Sequence, residues 1–194
     1  DPMQPPKQWQ LHPSGSDWYQ LQDYEKANGE PELWKHMQRR RYGGDIQGII
    51  DKLDYLKNLG INAIYLNPVF EAPSNHKYDG ASYHHIHPNF GPDPKGDRLL
   101  MAKENPGDPK TWVWTEADEL ALTLIDEAHK RGMRIIFDGV FNHMGFNSFA
   151  LQDVRRNKMK SPYLNWFTIK NFDDPSAGIE FDYQGWWGNK SLRE

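Results

Sequence analysis

The chain has 194 residues, 37% of them hydrophobic, and a formal net charge of −4. This length allows one domain with a core, and the slight negative charge with dispersed Lys and Arg gives no electrostatic reason to expect nucleic acid. The absence of cysteine excludes disulfides, thiolate metal sites and a Cys nucleophile. No apolar run is long enough for a membrane span. No signal-peptide segment is recognisable, so localisation stays open with a lean towards a periplasmic or secreted protein.

The predicted elements begin with a candidate strand at residues 18–21. A helix is predicted at residues 45–58, where Asp45 can cap the N-terminus and Gly60 is placed to follow the C-terminus in a left-handed conformation. Its apolar residues recur at helical spacing: Ile46, Ile49, Ile50, Leu53 and Leu56. The short apolar run at residues 61–66 then predicts a strand that is buried on both faces.

A second copy of this pattern begins at Thr115, which forms a capping-box sequence with Asp118. The buried stripe of the predicted helix is Ala117, Leu120, Ala121, Leu124, Ile125 and Ala128. Gly132 is placed to end the helix, and residues 133–137 form another short apolar strand. A helix, a glycine and a buried strand, twice in succession, indicate parallel strands joined by helical crossovers.

A long connection, residues 70–114, joins the two copies and is rich in His, Pro, Gly and Asn. Connections of this length in a compact domain are more often functional than idle. In a parallel α/β barrel the functional groups lie where strands end, which here means the segments beginning at Asn67 and at Asp138. Taken alone, the second segment is equally well explained by a local cap with Asn142 and His143 hydrogen-bonded nearby.

Residues 138–143, Asp-Gly-Val-Phe-Asn-His, resemble the strand-three signature of glycoside hydrolase family 13, the α-amylase family. Residues 44–49 and 60–68 are similar to the first helix and second strand of that family. Residues 74–79, Ser-Asn-His-Lys-Tyr-Asp, are similar to the following loop in neopullulanases and cyclomaltodextrinases. The resemblance runs from about residue 19 to the end of the chain.

The resemblance implies an α/β fold. Residues 1–145 would form the first three β/α units of a (β/α)8 TIM barrel, and residues 146–194 would begin an inserted domain B. It also implies a retaining hydrolase of α-glucosidic bonds in starch-like oligosaccharides, whose two carboxylates stand about 5 Å apart. The family's nucleophile lies in a Gly-x-Arg-x-Asp segment, which this chain lacks. We therefore expect no catalytic residue in this chain, which alone should be inactive. Its expected partners are an α-glucan or maltooligosaccharide and the remainder of the same barrel.

The resemblance also implies roles for three residues. Tyr78 matches a tyrosine that stacks on the sugar on one side of the scissile bond, and His143 matches a histidine that hydrogen-bonds hydroxyls of the same sugar. Asp138 matches an aspartate that organises the site and is not the nucleophile. These residue types suit a glucosyl ring, which offers an apolar face to an aromatic ring while its hydroxyls need directional partners.

Calcium is the cofactor that the resemblance implies. Asn142 matches an asparagine that ligates calcium in many amylases. In the neopullulanase-like group a further calcium site joins the first loop to a Gly-Gly-Asp segment, and the matching positions here are Asn28, Glu30, Gly43 and Asp45. Oxygen ligands of this kind suit calcium, although Glu30 replaces the usual aspartate. The alternative is a glycine-rich turn followed by a helix cap at Asp45.

Some features depart from the family pattern. The first strand lacks the usual Phe-Pro and Arg-Phe, Ser82 stands where an aspartate is common, and an extra stretch lies near residues 92–112. Three strands of an eight-stranded barrel also cannot close. The inner faces of residues 61–66 and 135–137 should therefore lack packing partners within this chain.

Two other classes of function compete with the hydrolase. A non-catalytic sugar-binding module would use Tyr78 and the tryptophans, but such modules are usually β-sandwiches and the predicted crossovers contradict that fold. A metal-dependent hydrolase on the same barrel would use His84, His85 and His87, yet no further ligand lies at the spacing that a zinc site needs. The oligomeric state stays open.

Overall fold

The computed structural model describes residues 10–11, 19–27, 29–37, 40–186 and 188–193. The chain divides into two units, Asp1–Gly44 and Asp45–Glu194, so the boundary expected at residue 145 stays a prediction. Within the described ranges, no helix has both the length and the apolar composition needed to cross a bilayer.

The first unit contains two short strands and two short helices. The strands β1 (Gln10–Leu11) and β2 (Arg40–Arg41) pair in parallel, and the helices are α1 (Asp23–Lys26) and α2 (Leu33–Met37). Arg40 is buried and forms an ion pair with Glu25 through two hydrogen bonds of 2.6 Å each. Its guanidinium also donates to the carbonyl oxygen of Gln20 at 2.7 Å.

The strand expected at residues 18–21 is not formed in the part of it that the structure describes. Residues 19 and 20 form a turn and a bend, and residues 21 and 22 lead without regular structure into α1. The reason is that long-range and capping contacts engage this segment: Arg40 binds the carbonyl of Gln20, and Gln22 takes part in the capping box of α1. Trp18 lies outside the described residues.

The second unit opens with two helices, α3 (Ile46–Ile50) and α4 (Leu53–Asn58), where one helix was predicted. Asp45 caps α3, and its carboxylate accepts a hydrogen bond from the backbone N–H of Gly48 at 2.8 Å. The break arises because the N–H of Lys52 bonds the carbonyl of Ile49, which tightens the chain into a turn. Gly60 follows α4 with φ +85°, as predicted, and β3 (Ala63–Leu66) comes next.

The second helix–strand pair forms as predicted. Helix α6 (Glu116–Lys130) begins with the capping box of Thr115 and Asp118, and Gly132 ends it with φ +74°. Strand β6 (Arg134–Phe137) then pairs in parallel with β3, with Ala63 opposite Arg134 and Leu66 opposite Phe137. This pairing confirms the helical crossover between parallel strands.

Helices α3, α4 and α6 cover one face of this strand pair. The buried core there consists of Ile46, Leu53, Val69, Ile86, Ala117, Ala121, Leu124, Ala128 and Met133. Ile64 and Leu66 pack against this core, whereas Tyr65 is 58% exposed and Ile136 is 45% exposed. The prediction that residues 61–66 are buried on both faces is therefore wrong for this chain. Side chains alternate along a strand, and within the described residues the second face stays open.

The long connection contains regular structure. Strands β4 (Phe70–Glu71) and β5 (Ser82–Ile86) form an antiparallel hairpin, and helix α5 (Pro94–Met101) lies between two 3-10 turns, Pro88–Phe90 and Pro109–Thr111. The buried carboxylate of Asp97 accepts hydrogen bonds from the N–H groups of Glu116 and Ala117 at 2.9 and 3.1 Å. The extra stretch near residues 92–112 therefore caps helix α6.

The last segment has its own apolar cluster around Ala150, Leu151, Val154 and Phe167. Its elements are β7 (Met144–Gly145), α7 (Phe149–Asn157), 3-10 turns at Lys158–Lys160 and Leu164–Trp166, β8 (Ile169–Asn171), β9 (Asp182–Tyr183), β10 (Gly185–Trp186) and β11 (Asn189–Arg193). Strands β10, β11 and β7 form an antiparallel sheet in that order, and β8 pairs antiparallel with β9.

Candidate functional site

Two tyrosines lie beside Asp138 at the end of strand β6. The hydroxyl of Tyr78 donates to Oδ2 of Asp138 at 2.8 Å, and Tyr65, on the open face of β3, lies near the same carboxylate. Interaction with the Asp138 carboxylate raises the pKa of both phenols, because ionisation would remove the donated proton and place a second negative charge beside it. Both tyrosines are therefore neutral donors at ordinary pH.

His143 lies on the other side of Tyr78. Its Nε2 donates to the carbonyl oxygen of Tyr78 at 2.9 Å, and its Nδ1 accepts from the side-chain amide of Asn142 at 3.2 Å. The ring stacks on Trp186 with centroids 5.0 Å apart. His143 is buried, and both of its ring nitrogens have protein partners. Its role as a ligand of sugar hydroxyls stays a prediction.

The structure thus brings Tyr78, Asp138 and His143 together, as the resemblance implies. Tyr78 comes from the loop between β4 and β5, whereas Asp138 and His143 follow β6. The local alternative for residues 138–143 explains the contact of Asn142 with His143. It does not account for the contacts that Asp138 and His143 make with Tyr78, from which they are 60 and 65 residues distant in sequence.

Glu30 and Asp45, two of the expected calcium positions, have protein partners. The carboxylate of Glu30 accepts from the N–H of Glu32 and from Lys35 Nζ, both at 3.0 Å, and an ammonium at that place competes with a cation. Asp45 caps α3, and Gly43 has φ +75°. These contacts are those of the turn-and-cap alternative, and Asn28 lies outside the described residues. Calcium at these positions, and at Asn142, stays a prediction.

The three neighbouring histidines have separate environments. His85 is buried and donates to Asp118 at 2.7 Å and to Glu104 at 2.8 Å. His84 stacks on Trp112 with centroids 4.0 Å apart. His87 accepts from the N–H of Asn89 through Nδ1 at 3.2 Å. No three His, Asp or Glu side chains among the described residues form a group able to hold a metal ion.

His85, Asp118 and Glu104 form a buried trio whose charges are linked. Burial alone lowers the pKa of His85, but the hydrogen bonds to Asp118 and Glu104 outweigh burial and the net shift is upward. For Asp118, burial raises the pKa, and the bonds from His85, Ile86 N–H and Thr115 outweigh it, so the net shift is downward. The trio therefore joins β5, the loop after α5 and the start of α6 as a charged, fully hydrogen-bonded unit.

A pocket of about 380 Å³ lies beside His143. Aromatic rings line much of it: Tyr83, Phe141, Phe149 and Trp166. Asn142 and His84 add polar groups, and the hydroxyl of Tyr83 donates to the carbonyl of Val140. Concave, mostly apolar surfaces with a few polar groups are typical of small-ligand sites. Sequence reasoning missed Tyr83, Trp166 and Tyr65, because only their position next to residues 138–143 in space distinguishes them from core aromatics.

Known proteins of one family are similar to this chain. The family model of the α-amylase catalytic domain matches residues 11–107 and 115–194. The unmatched residues 108–114 lie at the end of the long connection. Among curated relatives, an intracellular maltogenic amylase of Bacillus subtilis (strain 168) is 42% identical over 165 residues, which cover 80% of this chain and 24% of that protein. A cyclomaltodextrinase of Thermoanaerobacter pseudethanolicus is 45% identical over 128 residues, covering 66% of this chain and 18% of its own length.

Solved structures give the same result. The cyclic alpha-maltosyl-(1→6)-maltose hydrolase of Arthrobacter globiformis aligns with a TM-score of 0.60 and 34% identity, over 80% of this chain and 30% of that chain. The type III pullulan hydrolase of Thermococcus kodakarensis aligns with a TM-score of 0.61 and 36% identity, over 84% of this chain and 24% of that chain. The chain spans about a quarter or less of the length of the curated relatives named above.

Proposed function

Because this chain belongs to the α-amylase family and forms part of a TIM barrel, we propose that the full-length protein hydrolyses α-glucosidic bonds in starch-like oligosaccharides and retains the anomeric configuration. The observation that carries this proposal is the contact of Tyr78, from the loop between β4 and β5, with Asp138 and His143, which follow the parallel strand β6. The names of the relatives, a maltogenic amylase and a cyclomaltodextrinase, support maltooligosaccharides and cyclodextrins as the substrate class.

Tyr78 provides the apolar surface that a sugar ring needs. Its side chain is partly exposed, and its hydroxyl is held at Asp138, so the ring has a fixed orientation at the rim. An aromatic face held in this way stacks on the C–H face of a glucosyl unit with little loss of side-chain freedom. Tyr78 is therefore assigned to substrate binding.

Asp138 and His143 provide the polar contacts of the same sugar. Asp138 presents carboxylate oxygens that accept from hydroxyls, and His143 would donate from Nε2 to a sugar hydroxyl by exchanging its bond to the carbonyl oxygen of Tyr78. Hydrogen bonds to a sugar hydroxyl accelerate the reaction when they tighten as the ring flattens towards an oxocarbenium ion. These two residues stabilise the reacting sugar, and neither acts as the nucleophile.

The proposal assigns the bond-breaking carboxylates to the rest of the full-length protein. Retaining hydrolysis needs one carboxylate as nucleophile and another as acid and base, about 5 Å apart. No Gly-x-Arg-x-Asp segment occurs in the chain. This chain contributes the binding rim, and catalysis requires the remaining strands of the barrel.

The two competing functions have less support. The parallel pairing of β3 with β6 through helix α6 contradicts a β-sandwich sugar-binding module. A metal-dependent hydrolase would need His84, His85 and His87 to converge on one ion. Instead His84 stacks on a tryptophan and both ring nitrogens of His85 donate to carboxylates.

The test uses the full-length protein and maltoheptaose. We expect reducing sugar to be released and the first product, observed by proton NMR before mutarotation, to be the α anomer. The matched control is the 194-residue chain alone, which should release none. An initial β anomer would overturn the assignment, and so would activity of the isolated chain.

A further inference from the structure

The loop between β4 and β5 contains a lysine in an unusual backbone conformation immediately before Tyr78. Lys77 has φ +58°, and among the described residues only Lys158 shares a positive φ without being glycine. Residues with a Cβ rarely adopt this region, and glycine or asparagine is the usual choice. The contacts of the lysine side chain should therefore explain why a lysine occupies this position.

The side chain of Lys77 is buried beneath the loop. Lys77 is only 6% exposed, and its Nζ donates to the carbonyl oxygens of Ala72 and Ser74 at 3.2 and 3.4 Å. The ammonium also lies 5.5 Å from the centre of the Phe90 ring, within cation–π range. The lysine thus ties the beginning of the loop to the position before Tyr78, and a glycine would not do this.

Further hydrogen bonds fix the backbone on both sides of Lys77. The hydroxyl of Ser74 accepts from the N–H of Lys77 at 2.9 Å and donates to the carboxylate of Asp79. Nδ1 of His76 accepts from the N–H of Tyr78 at 3.1 Å. The conformation of residues 77 and 78 is therefore set by side chains from both ends of the loop.

Tyr78 transmits this conformation to the other two site residues. Its hydroxyl contacts Asp138, and its carbonyl oxygen accepts from His143. A rotation about the Lys77 backbone would move the ring and the carbonyl together. One left-handed residue therefore controls the placement of the aromatic face, the carboxylate contact and the imidazole contact.

We propose that Lys77 is a positioning residue for the substrate-binding rim, whose buried ammonium holds the loop in the conformation that presents Tyr78. This inference deepens the proposed function and rests on it. Lys77 does not contact the sugar and acts through Tyr78. Misplacement of a binding group by about 1 Å can lower a rate by roughly 100-fold, so the effect of losing the ammonium should be measurable.

The principal variant is Lys77→Met in the full-length protein, which keeps the apolar stem and removes the ammonium. We expect kcat/KM for maltoheptaose to fall by about 10- to 100-fold, with kcat falling as well, because the lost contacts strengthen in the transition state. Lys77→Arg keeps the positive charge and the hydrogen-bond donors, so its kcat/KM should show only a small part of this loss. Equal kinetics for wild type and Lys77→Met would overturn the proposal.

The matched control is Lys158→Met. Lys158 also has a positive φ, +49°, and its Nζ donates to the carbonyl oxygen of Asp173 at 2.7 Å, but no described contact joins it to Tyr78. This variant should keep kcat/KM within about 2-fold of wild type. A loss as large as that of Lys77→Met would show a general effect of such lysines and would overturn the specific role.

A double-mutant cycle tests whether Lys77 acts through Tyr78. In a Tyr78→Ala background, Lys77→Met should lower kcat/KM much less than it does in wild type, because the ring that it positions is gone. Fully additive losses would contradict positioning. If Lys77→Met fails to fold, Ser74→Ala, which removes the hydroxyl that holds the N–H of Lys77, should give a smaller loss in the same direction, and an unchanged rate would overturn the proposal.

Amide hydrogen exchange separates this inference from the proposed function. In Lys77→Met, the peptide that spans residues 72–80 should exchange about 10-fold faster or more, and Lys158→Met should leave it unchanged. An unchanged peptide would overturn the positioning role whether or not the enzyme is active. An inactive wild-type protein with faster exchange in Lys77→Met would instead overturn the proposed function and keep the role of Lys77 in shaping the loop.

Discussion

The backbone of Gly145 packs directly against the carbonyl oxygen of Asp79. Gly145 is buried, its N–H donates to the carbonyl of Gly80 at 2.8 Å, and a Cβ built on it would overlap Asp79. This close approach joins the segment after His143 to the loop that carries Tyr78. A side chain at residue 145 would therefore separate the two halves of the rim.

Gly145→Ala should disturb both stability and activity. Overlap with backbone atoms cannot be relieved by a side-chain rotation, so we expect a loss of about 1–3 kcal/mol in the free energy of unfolding and at least a 10-fold lower kcat/KM. Thermal melting and steady-state kinetics of the full-length protein measure the two effects. Gly44→Ala is the control, because a Cβ there meets no atom within 4 Å. Equal effects of the two variants would contradict the close-approach argument.

The ring and the hydroxyl of Tyr78 should contribute separately. Tyr78→Phe removes the bond to Asp138 and keeps the stacking face, so we expect kcat/KM to fall by about 3- to 10-fold. Tyr78→Ala removes both and should fall by about 10- to 1000-fold, as should His143→Ala. Tyr55→Ala, an exposed tyrosine on α4, should stay within about 2-fold. Wild-type kinetics for Tyr78→Ala would refute the stacking role.

The buried contact of His85 with Asp118 and Glu104 should make stability depend on pH. Since the pKa of His85 is raised above 6.5 in the folded state, its contribution is complete below that value and is lost as the pH rises through the folded pKa. The contribution of Asp118, whose pKa is lowered, is lost only as the pH falls through its folded pKa, below 3.8. The melting temperature should therefore decline as the pH rises through the folded-state pKa of His85.

His85→Gln should flatten this alkaline decline and destabilise the protein by on the order of 3–5 kcal/mol near pH 6, because two buried carboxylates lose their cation. His129→Gln, an exposed histidine at the end of α6, should keep the wild-type pH profile. Melting curves between pH 5 and about 9 provide the comparison. A His85→Gln profile parallel to that of wild type would disprove the linkage.

Asp97 should stabilise helix α6 from a distance in sequence. Asp97→Ala removes the acceptor of two N–H groups at the helix N-terminus, and we expect a loss of about 1–2 kcal/mol. Asp126→Ala, on the exposed side of the same helix, should change stability by less than about 0.5 kcal/mol. Denaturant unfolding measures both. Wild-type stability of Asp97→Ala would mean that the extra stretch near residues 92–112 does not support the barrel.

The calcium proposal predicts a fall in melting temperature of the full-length protein on addition of chelator, by mass action. Asp45→Asn gives a second measure, because asparagine caps a helix about as well as aspartate but binds calcium less strongly. Under the calcium proposal Asp45→Asn should reduce the response to chelator. An unchanged melting curve of the wild type would leave Asp45 as a helix cap alone.

Local sequence signals predicted the helix ends and the parallel pair. The helix caps at Asp45 and Thr115 and the helix-ending glycines at 60 and 132 depend only on residues within one helical turn. The sequence alone therefore predicts them. The tyrosine contacts of Asp138 and the cap supplied by Asp97 join residues far apart in sequence. The failed strand at residues 18–21 has the same origin, because the side chain of Arg40 engages that backbone.

The open face and edge of the β3–β6 pair have a consequence for the isolated 194-residue chain. Tyr65 and Ile136 meet solvent there, and the unpaired backbone groups at the edge of a strand can bond to a second chain. The isolated chain should therefore self-associate or lose its fixed packing in solution, which light scattering and near-UV circular dichroism would detect.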